Sequence, residues 1–330
     1  MSAAVGAPGR TGAGTAPARR RPDVAELVPW VLLVLLVAVD GVLQPAALSL
    51  SNIGAVVFGV LPLVVVAIGQ TLVVLTGGID LSVAGVLSLT SALLATRATT
   101  DSQVLPWALA CLALGALVGV VNALCVVRLR MQPFIVTLGT WSIVGGVALL
   151  VLSSPGGAVP PSLTDLALVL VGGVPASLVI LAAIVAGWLL VRRTRPVRHI
   201  YALGSDRGSA VLLGVRPART LLLTYALSGL CAAAAGILFS AQIASGDPLG
   251  GNSYVLASVA AVVIGGARLA GGRGSPIGSV AGALVTVYIA DVVFATGLSS
   301  FWSPLIQGSL LIVAVLLGTG SRLLAARRIR

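Results

Sequence analysis

The chain has 330 residues, of which 58% are hydrophobic and 9% are charged, and its mean hydropathy is +1.11. A soluble domain carries about 25% charged residues, so this chain has too little charge to coat a water-exposed surface, and a soluble globular protein is excluded. The formal net charge is +11 with no lysine, and because the arginines cluster between apolar runs, they indicate loops on one side of a membrane and not nucleic-acid binding.

The N-terminal residues 1–27 are rich in Ala, Gly, Pro and Arg, a composition that predicts a disordered cytoplasmic tail. Ten apolar runs follow within residues 28–320, and residues 321–330 form a short basic tail. Since one crossing takes roughly 20 apolar residues, the runs predict an all-α polytopic membrane protein, a bundle of about ten transmembrane helices. The runs lie at 28–46, 54–75, 82–96, 104–127, 134–152, 166–191, 219–243, 254–267, 276–296 and 303–319.

An even number of crossings places both termini on one side, and the arginines indicate which side. With the N-terminus in the cytoplasm, only Arg97 falls in an outer loop, and the outer loops otherwise carry Asp101, Asp165 and Asp247. This agrees with the positive-inside rule, so we expect a multi-pass protein of a bacterial plasma membrane with both termini cytoplasmic. The inner arginines lie in segments 128–130, 192–219, 268–273 and 322–330.

The segment 76–82, Thr-Gly-Gly-Ile-Asp-Leu-Ser, separates two apolar runs with almost no polar linker. Gly77 and Gly78 predict a break in the helix. Asp80 and Ser82 can accept hydrogen bonds from free N–H groups at the start of the next helix. A broken helix at membrane depth must line a cavity or be buried in protein. The segment is therefore a candidate gate or hinge, or simply a tight turn with a capping carboxylate.

Glycine spacing adds two hints about the bundle. Gly115 and Gly119 are four residues apart, which predicts close packing of two helices. The sequence Gly-Gly-Ile-Asp-Leu at 77–81 is weakly echoed by Gly-Gly-Ala-Arg-Leu at 265–269. The echo hints at an internal repeat of the kind that transporters often contain.

The inner loop 192–219 is the longest loop between apolar runs. Its part from Ser205 to Val215 has Ala and Leu helix formers between glycines, which predicts a short helix lying at the membrane surface. This loop is either a contact surface for a partner or a merely solvated basic loop.

Polar residues inside the apolar runs are the remaining candidates for contact with a solute. Asp291 lies deep in its run, so we expect it to face a cavity or a partner. Asp40 is nearer the outer end of the first run, where a side chain reaching the interface accounts for it. Thr137 and Thr140 share one helix face and either line a path or bond within the bundle. The candidate path residues are Asn122, Thr137, Thr140 and Asp291.

Absent motifs exclude several kinds of chemistry. A P-loop requires lysine, which the chain lacks, so it cannot bind ATP in that way. Three cysteines in apolar stretches and a single histidine, His199, predict neither a disulfide framework nor a metal site. No nucleophile elbow is present. We therefore expect no enzyme activity, no cofactor and no metal in this chain, with any chemistry carried by a partner.

Several separate motifs follow one another along the chain: Gly69-Gln70-Thr71 followed by 76–82, Asn122-Ala123-Leu124, Gln-Pro-Phe-Ile-Val-Thr-Leu-Gly-Thr at 132–140, Ile-Tyr-Ala-Leu-Gly at 200–204, Tyr-Ala-Leu-Ser-Gly-Leu at 225–230, and Val-Ile-Gly-Gly at 263–266 with Gly-Gly-Arg-Gly at 271–274. With these motifs in this order, the chain closely resembles the permease subunits of ribose-type sugar ABC importers from about Asn52 to Gly318.

The resemblance implies a permease that imports a sugar or similar small polar solute, powered by two cytoplasmic ATP-binding subunits. It also implies a second, identical or related permease subunit and an extracytoplasmic solute-binding protein. Within 192–219 it implies a coupling helix that docks into an ATP-binding subunit. The matching positions are Gly204, Ser205, Asp206, Gly208, Ala210 and Gly214.

Two other functional classes remain open from the residues alone. A proton-coupled secondary transporter would use Asp40, Asp80 or Asp291 as a proton carrier and would need no ATPase. A non-transporting membrane scaffold or receptor would not need the broken helix.

Overall fold

The structure is a computed structural model that describes residues 24–299, 301–303, 305–309 and 312. The predicted tail residues 1–23 and 321–330 lie outside the described residues, as does most of the last apolar run. The helices are α1 (Val24–Leu43), α2 (Leu50–Leu75), α3 (Ser82–Arg97), α4 (Asp101–Arg128), α5 (Pro133–Val151), α6 (Pro161–Thr164), α7 (Ala176–Val191), α8 (Arg195–Ser205), α9 (Arg207–Leu212), α10 (Pro217–Ile243), α11 (Asn252–Ile264) and α12 (Pro276–Ala295).

Five of these helices are long and apolar enough to cross a membrane: α2, α4, α5, α10 and α12. A sixth crossing results if α7 and α8, which meet at a bend of 78°, form one broken span. The apolar part of α1, together with α3 and α11, is shorter than a full crossing. The predicted all-α polytopic membrane architecture is confirmed, whereas the count of about ten spans stays a prediction.

The predicted run 166–191 is wrong in its first part, because helix α7 begins only at Ala176. The preceding residues form two short strands, β1 (Leu170–Val171) and β2 (Val174–Pro175), which pair antiparallel. Gly172 and Gly173 join them, with φ angles of 60° and 85°. A two-residue turn with positive φ at both positions matches the twist of a β-hairpin. Hydropathy alone cannot distinguish this apolar hairpin from helix.

The centre of the bundle is formed by α2 and α3, which bury most of their side chains, and by α10, which buries one face. Helix α4 packs along α10 at very short range. A β-carbon on Gly119 would lie 2.0 Å from the carbonyl oxygen of Tyr225, and one on Gly115 would lie 2.3 Å from that of Gly229. The predicted close packing at Gly115 and Gly119 is therefore confirmed, since no larger residue fits either position.

The described inner arginine segments gather at one end of the bundle, which we call the arginine end: residues 128–130, 192–219 and 268–273. Here the N–H of Gly272 donates to the carbonyl of Leu75, at 2.9 Å. The hydroxyl of Tyr201 on α8 donates to the carbonyl of Gly274, at 2.8 Å. At the opposite end, the N–H of Ser162 donates to Asp101, at 3.0 Å. The arrangement agrees with the predicted topology, and the cytoplasmic assignment of the arginine end stays a prediction.

Candidate functional site

Helix α2 ends in a glycine turn. The N–H of Gly77 donates to the carbonyl of Val74 and that of Gly78 to the carbonyl of Val73, at 2.9 and 3.2 Å. These are the two hydrogen bonds of a Schellman motif, in which the residue after the cap adopts a left-handed conformation. Gly77 has φ of 83°, which glycine adopts without steric cost. The predicted break of the helix after Leu75 is confirmed.

Asp80 stands between the turn and α3 and is only 1% exposed. Its Oδ1 accepts hydrogen bonds from the N–H and the Oγ–H of Ser82, at 3.0 and 2.5 Å. Its Oδ2 accepts from the hydroxyl of Ser228 on α10, at 2.7 Å. The predicted capping contact of Asp80 is confirmed at the first oxygen. Among the described residues, Asp80 Oδ2 makes no capping bond and instead links the break to helix α10.

Two of the predicted path residues, Asn122 and Thr140, extend this cluster into a continuous hydrogen-bonded network, and a third, Thr137, bonds the backbone beside it. The side-chain amide of Asn122 on α4 donates to Ser82 Oγ, at 2.8 Å. The hydroxyl of Thr140 on α5 donates to Asn122 Oδ1, at 2.6 Å. The hydroxyl of Thr137 lies 3.1 Å from the carbonyl oxygen of Ile79. Bonds through Ser228, Asp80, Ser82, Asn122 and Thr140, which we call the break network, thus tie α3, α4, α5 and α10 together.

The break network lies close to the arginine end and away from solvent. Asn122 and Thr137 are fully buried. Asn122 precedes the last residue of α4, Arg128, by six residues, which is about 9 Å of helix at 1.5 Å per residue. The polar groups are therefore used by one another and do not line an open channel in this conformation.

Tyr225 is a neighbour of the break that the sequence did not single out beyond its place in a family motif. Its hydroxyl is buried and has no hydrogen-bond partner among the described residues. A β-carbon on Gly78 would lie 2.7 Å from that hydroxyl oxygen. Gly78 is thus needed for close approach to α10, whereas the left-handed turn conformation belongs to Gly77.

Asp291, the fourth predicted path residue, does not join the break network. It lies on α12, and its Oδ2 is buried without a partner among the described residues. Asp40 on α1 is close enough for the two charges to interact. Asp40 is only 4% exposed, and the expectation that it reaches the membrane interface stays a prediction. Helix α1 packs on α12, where Tyr288 and Asp291 are both close enough to interact with the Asp40 charge.

The inner loop 192–219 is largely helical. The predicted short helix within 205–215 is confirmed as α9. Asp206 caps it: Oδ1 accepts from the N–H of Gly208 at 3.0 Å, and Oδ2 accepts from the hydroxyl of Ser209 at 2.5 Å. These hydrogen bonds hold the pKa of the Asp206 carboxyl below its ordinary value. The helix is thus a defined element rather than a frayed loop.

The other predicted coupling residues have distinct surroundings. Gly204 and Ser205 end α8, and a β-carbon on Gly204 would lie 1.7 Å from the carbonyl oxygen of Leu75. Ala210 is buried under α9, and Gly214 ends that helix with φ of 83°. Gly204 therefore brings the surface helices into direct contact with the turn that leads to the break.

A second glycine turn, at the end of α11, repeats the first. The N–H of Gly266 donates to the carbonyl of Val263 and that of Ala267 to the carbonyl of Val262, at 3.0 and 3.1 Å. Gly266 has φ of 85°. Helices α2 and α11 thus end in the same kind of turn, which is common at helix ends. The sequence echo aligns Gly78, and not Gly77, with Gly266, so these turns do not confirm it, and the internal repeat stays a prediction.

The segment 244–251 before α11 lies in the predicted loop between two apolar runs, but its packing against α3 was not predicted. It runs without helix beside α3, where the N–H of Gly251 donates to Ser88 Oγ at 3.0 Å and that of Asp247 to Ser91 Oγ at 3.1 Å. Irregular backbone among membrane helices needs such partners. Two serines spaced one turn apart on α3 were the available signal. The described residues contain no cluster of side chains suited to a metal ion.

Comparison with known proteins gives consistent relatives. A family model described as branched-chain amino acid transport system / permease component matches residues 52–315. The ribose import permease protein RbsC of Escherichia coli (strain K12) is 33% identical over 294 residues, covering 87% of this chain and 91% of the relative. The protein of the same name from Bacillus subtilis (strain 168) is 34% identical over 299 residues, covering 88% and 92%.

The autoinducer 2 import system permease protein LsrD of Photorhabdus laumondii is 31% identical over 292 residues, covering 86% of this chain and 88% of the relative. No solved structure matches. The matched region contains the break, the break network and the inner loop 192–219. The chain therefore belongs to the permease-component family of these transport systems, and it is the membrane-spanning permease subunit of an ABC importer whose ATP hydrolysis takes place in a separate subunit.

Proposed function

We propose that this permease subunit carries a sugar or a similar small polar solute into the cytoplasm. The observation that carries the proposal is the similarity to ribose import permeases over most of both chains. A proton-coupled secondary transporter, the rival class, finds no support in these relatives. The proposed assembly contains two permease subunits, identical or related, with cytoplasmic ATP-binding subunits on one side and an extracytoplasmic solute-binding protein on the other.

The arginine end is proposed to face the cytoplasm, with both termini on that side and about ten membrane segments between them. Positive residues are retained on the cytoplasmic side of membrane proteins. The inner loop 192–219 carries seven arginines and one aspartate, Asp206. The opposite end carries Asp101 and Asp165. This charge asymmetry supports the orientation.

The proposed coupling element is the pair α8 and α9. At the exposed edge of α9, Leu212 and Leu213 are 89% and 82% exposed, and apolar side chains presented on a short capped helix suit insertion into a partner's groove. Gly204 connects this element to the turn after Leu75 by direct contact. A displacement of α8 would therefore be transmitted to the break through direct contact.

The break is proposed to act as a gate or hinge. The bond between Ser228 and Asp80 spans α10 and the start of α3, and the bonds of Asn122 span α3, α4 and α5. A change between outward- and inward-open states that separates α10 from α3 must break or exchange the first of these bonds. A hydrogen-bonded junction with two discrete arrangements is suited to such a switch.

The proposal is tested by solute uptake into proteoliposomes that contain the permease with its ATP-binding subunit and solute-binding protein. The double variant Leu212→Asp with Leu213→Asp should abolish ATP-dependent uptake, because charge at the docking surface disrupts an apolar contact. The control Leu168→Asp changes an equally exposed apolar residue at the opposite end. Normal uptake by the α9 variant, or uptake that persists without ATP, would contradict the coupling.

The solute is tested separately, by titrating sugars into the cognate solute-binding protein and by competition in the uptake assay. Ribose and related sugars should bind and compete, whereas branched-chain amino acids should not. The reverse preference would overturn the assignment of a sugar while leaving the permease function intact. A cysteine placed at Ser205 should react with impermeant reagents only from the inner face.

A further inference from the structure

A cavity at the arginine end concentrates positive charge. It has a volume of about 320 Å³ and is lined by His199 of α8, Gly214 after α9, and Arg216, Arg219 and Thr220 at the start of α10. Water occupies about 30 Å³ per molecule, so the cavity has room for roughly ten waters or for a hydrated phosphate group with part of its substituent. Both arginines are exposed residues that line the same cavity, which places two guanidinium groups around one space.

The positive charge in this cavity is not neutralised by the chain itself. In the described ranges no hydrogen bond or ion pair reaches the side chain of Arg216 or Arg219. The one acid of the loop, Asp206, already accepts hydrogen bonds at both oxygens, from Gly208 and Ser209. The guanidinium groups are therefore available to an external anion.

The backbone at the start of α10 adds to the positive electrostatic potential in the cavity. Helix α10 starts at Pro217, and no side chain caps it. The first N–H groups of a helix have no partner within it, and the positive end of the helix dipole favours an anion there. The cavity thus joins two unpaired guanidiniums, an uncapped start of a 27-residue helix and the imidazole of His199.

We infer that this cavity binds a phosphate group, and the position favours the headgroup phosphate of an anionic lipid. Arginine guanidinium matches phosphate oxygens with paired hydrogen bonds. Helix α10 is long enough to cross the membrane, so its first turn lies at the level of the lipid headgroups. Basic pockets between membrane helices suit such headgroups. The inference does not depend on the identity of the solute, and it requires that the proposed docking at α9 leave the cavity open to lipid.

The test compares lipid retention by the purified full-length chain in native mass spectrometry, using phosphatidylglycerol and phosphatidylcholine as probes. The wild type should retain phosphatidylglycerol in preference. The variant Arg216→Gln with Arg219→Gln should bind it at least about tenfold more weakly, since it loses charge-assisted hydrogen bonds. The control, Arg192→Gln with Arg193→Gln, removes the same charge from exposed residues that do not line the cavity and should bind as the wild type does.

A second variant guards against a simple folding defect. Arg216→Lys with Arg219→Lys keeps the charge and should bind with intermediate affinity, because lysine lacks the paired donors. Inorganic phosphate is then added to distinguish the sources of the phosphate. If inorganic phosphate fails to displace phosphatidylglycerol, the site binds a lipid headgroup. If phosphate displaces the lipid, or binds where no lipid is preferred, the site binds free phosphate. Both outcomes support a phosphate site.

Three results would overturn the inference. The first is equal loss of phosphatidylglycerol from the cavity variant and from the control, which would indicate diffuse charge attraction. The second is a wild type that neither prefers phosphatidylglycerol nor binds inorganic phosphate. The third is complete loss of the bound lipid or phosphate when the chain is purified together with its ATP-binding subunit, which would assign Arg216 and Arg219 to a protein contact.

Discussion

Replacing Asp80 by alanine would remove the acceptor of three hydrogen bonds at once, two from Ser82 and one from Ser228. All of these groups are buried, so the donors would stay without partners. An unpartnered buried donor costs about 1–3 kcal/mol, whereas hydrogen bonds between membrane helices average about 0.6 kcal/mol in measured cycles. Weighing both scales, we expect Asp80→Ala to lower the free energy of unfolding by about 3 kcal/mol.

The assay is unfolding of the purified permease by SDS in mixed micelles, followed by intrinsic fluorescence. Ser228→Ala removes one hydrogen bond and should lower the free energy of unfolding by about 1–2 kcal/mol. In the double variant with Asp80→Ala, the Ser228 substitution should add almost no further loss, because the bond between the two residues is already gone. Ser142→Ala is the matched control, since its hydroxyl bonds only within its own helix at an exposed position. Substitutions at ordinary surface positions change the free energy of unfolding by about 0.5 kcal/mol or less. If the value for Asp80→Ala lies within that range of the wild type, the break network does not hold the helices together.

The remaining predictions use the same unfolding assay or hydrogen exchange. Gly204→Ala should lower the free energy of unfolding by at least about 2 kcal/mol, because its β-carbon would collide with the carbonyl of Leu75. The control Gly187→Ala has open space around the new β-carbon and should be neutral or slightly stabilising. Asp291→Asn should raise stability by about 1 kcal/mol, since an amide relieves the repulsion from the neighbouring acid on α1 and can donate to it; a loss of stability would mean that the carboxylate has a favourable partner. The lowered pKa of Asp206 means that its cap on α9 is present above the ordinary value of 3.8 and is lost as the pH falls below it, so exchange protection of α9 should drop there in the wild type and persist in Asp206→Asn.

The elements that the sequence predicted well are those with a local physical cause. The break at Gly77 follows from glycine conformation, and the short helix α9 follows from helix-forming Ala and Leu between glycines; both causes act within a few residues. The arginine end follows from charge counting along the chain. These features need no knowledge of which helices are neighbours.

The elements that the sequence missed depend on contacts between distant residues. Hydropathy merged the hairpin at 170–175 with α7, because lipid-facing strand and helix have the same apolar composition. It placed 244–251 in a loop between two apolar runs, but it did not indicate that this loop packs beside Ser88 and Ser91, or that Asp40 is buried. Likewise, Asn122 and Thr140 were separate candidates in the sequence, and only the packing of α4 on α5 and α3 makes them one network.

The contacts around Leu75 explain why a movement at the surface would not be lost in a flexible linker. The carbonyl of Leu75 receives the N–H of Gly272 and lies against Gly204, and five residues later Asp80 begins the break network. A close contact without spare volume transmits displacement, since packed interfaces switch between arrangements rather than deform continuously. In the proposed mechanism, docking at α9 would thus act on the Ser228–Asp80 bond through a chain of short, buried contacts. The energy that selects between the two arrangements must then come from the partner, because a ligand or subunit shifts such an equilibrium only by its differential affinity for the two states.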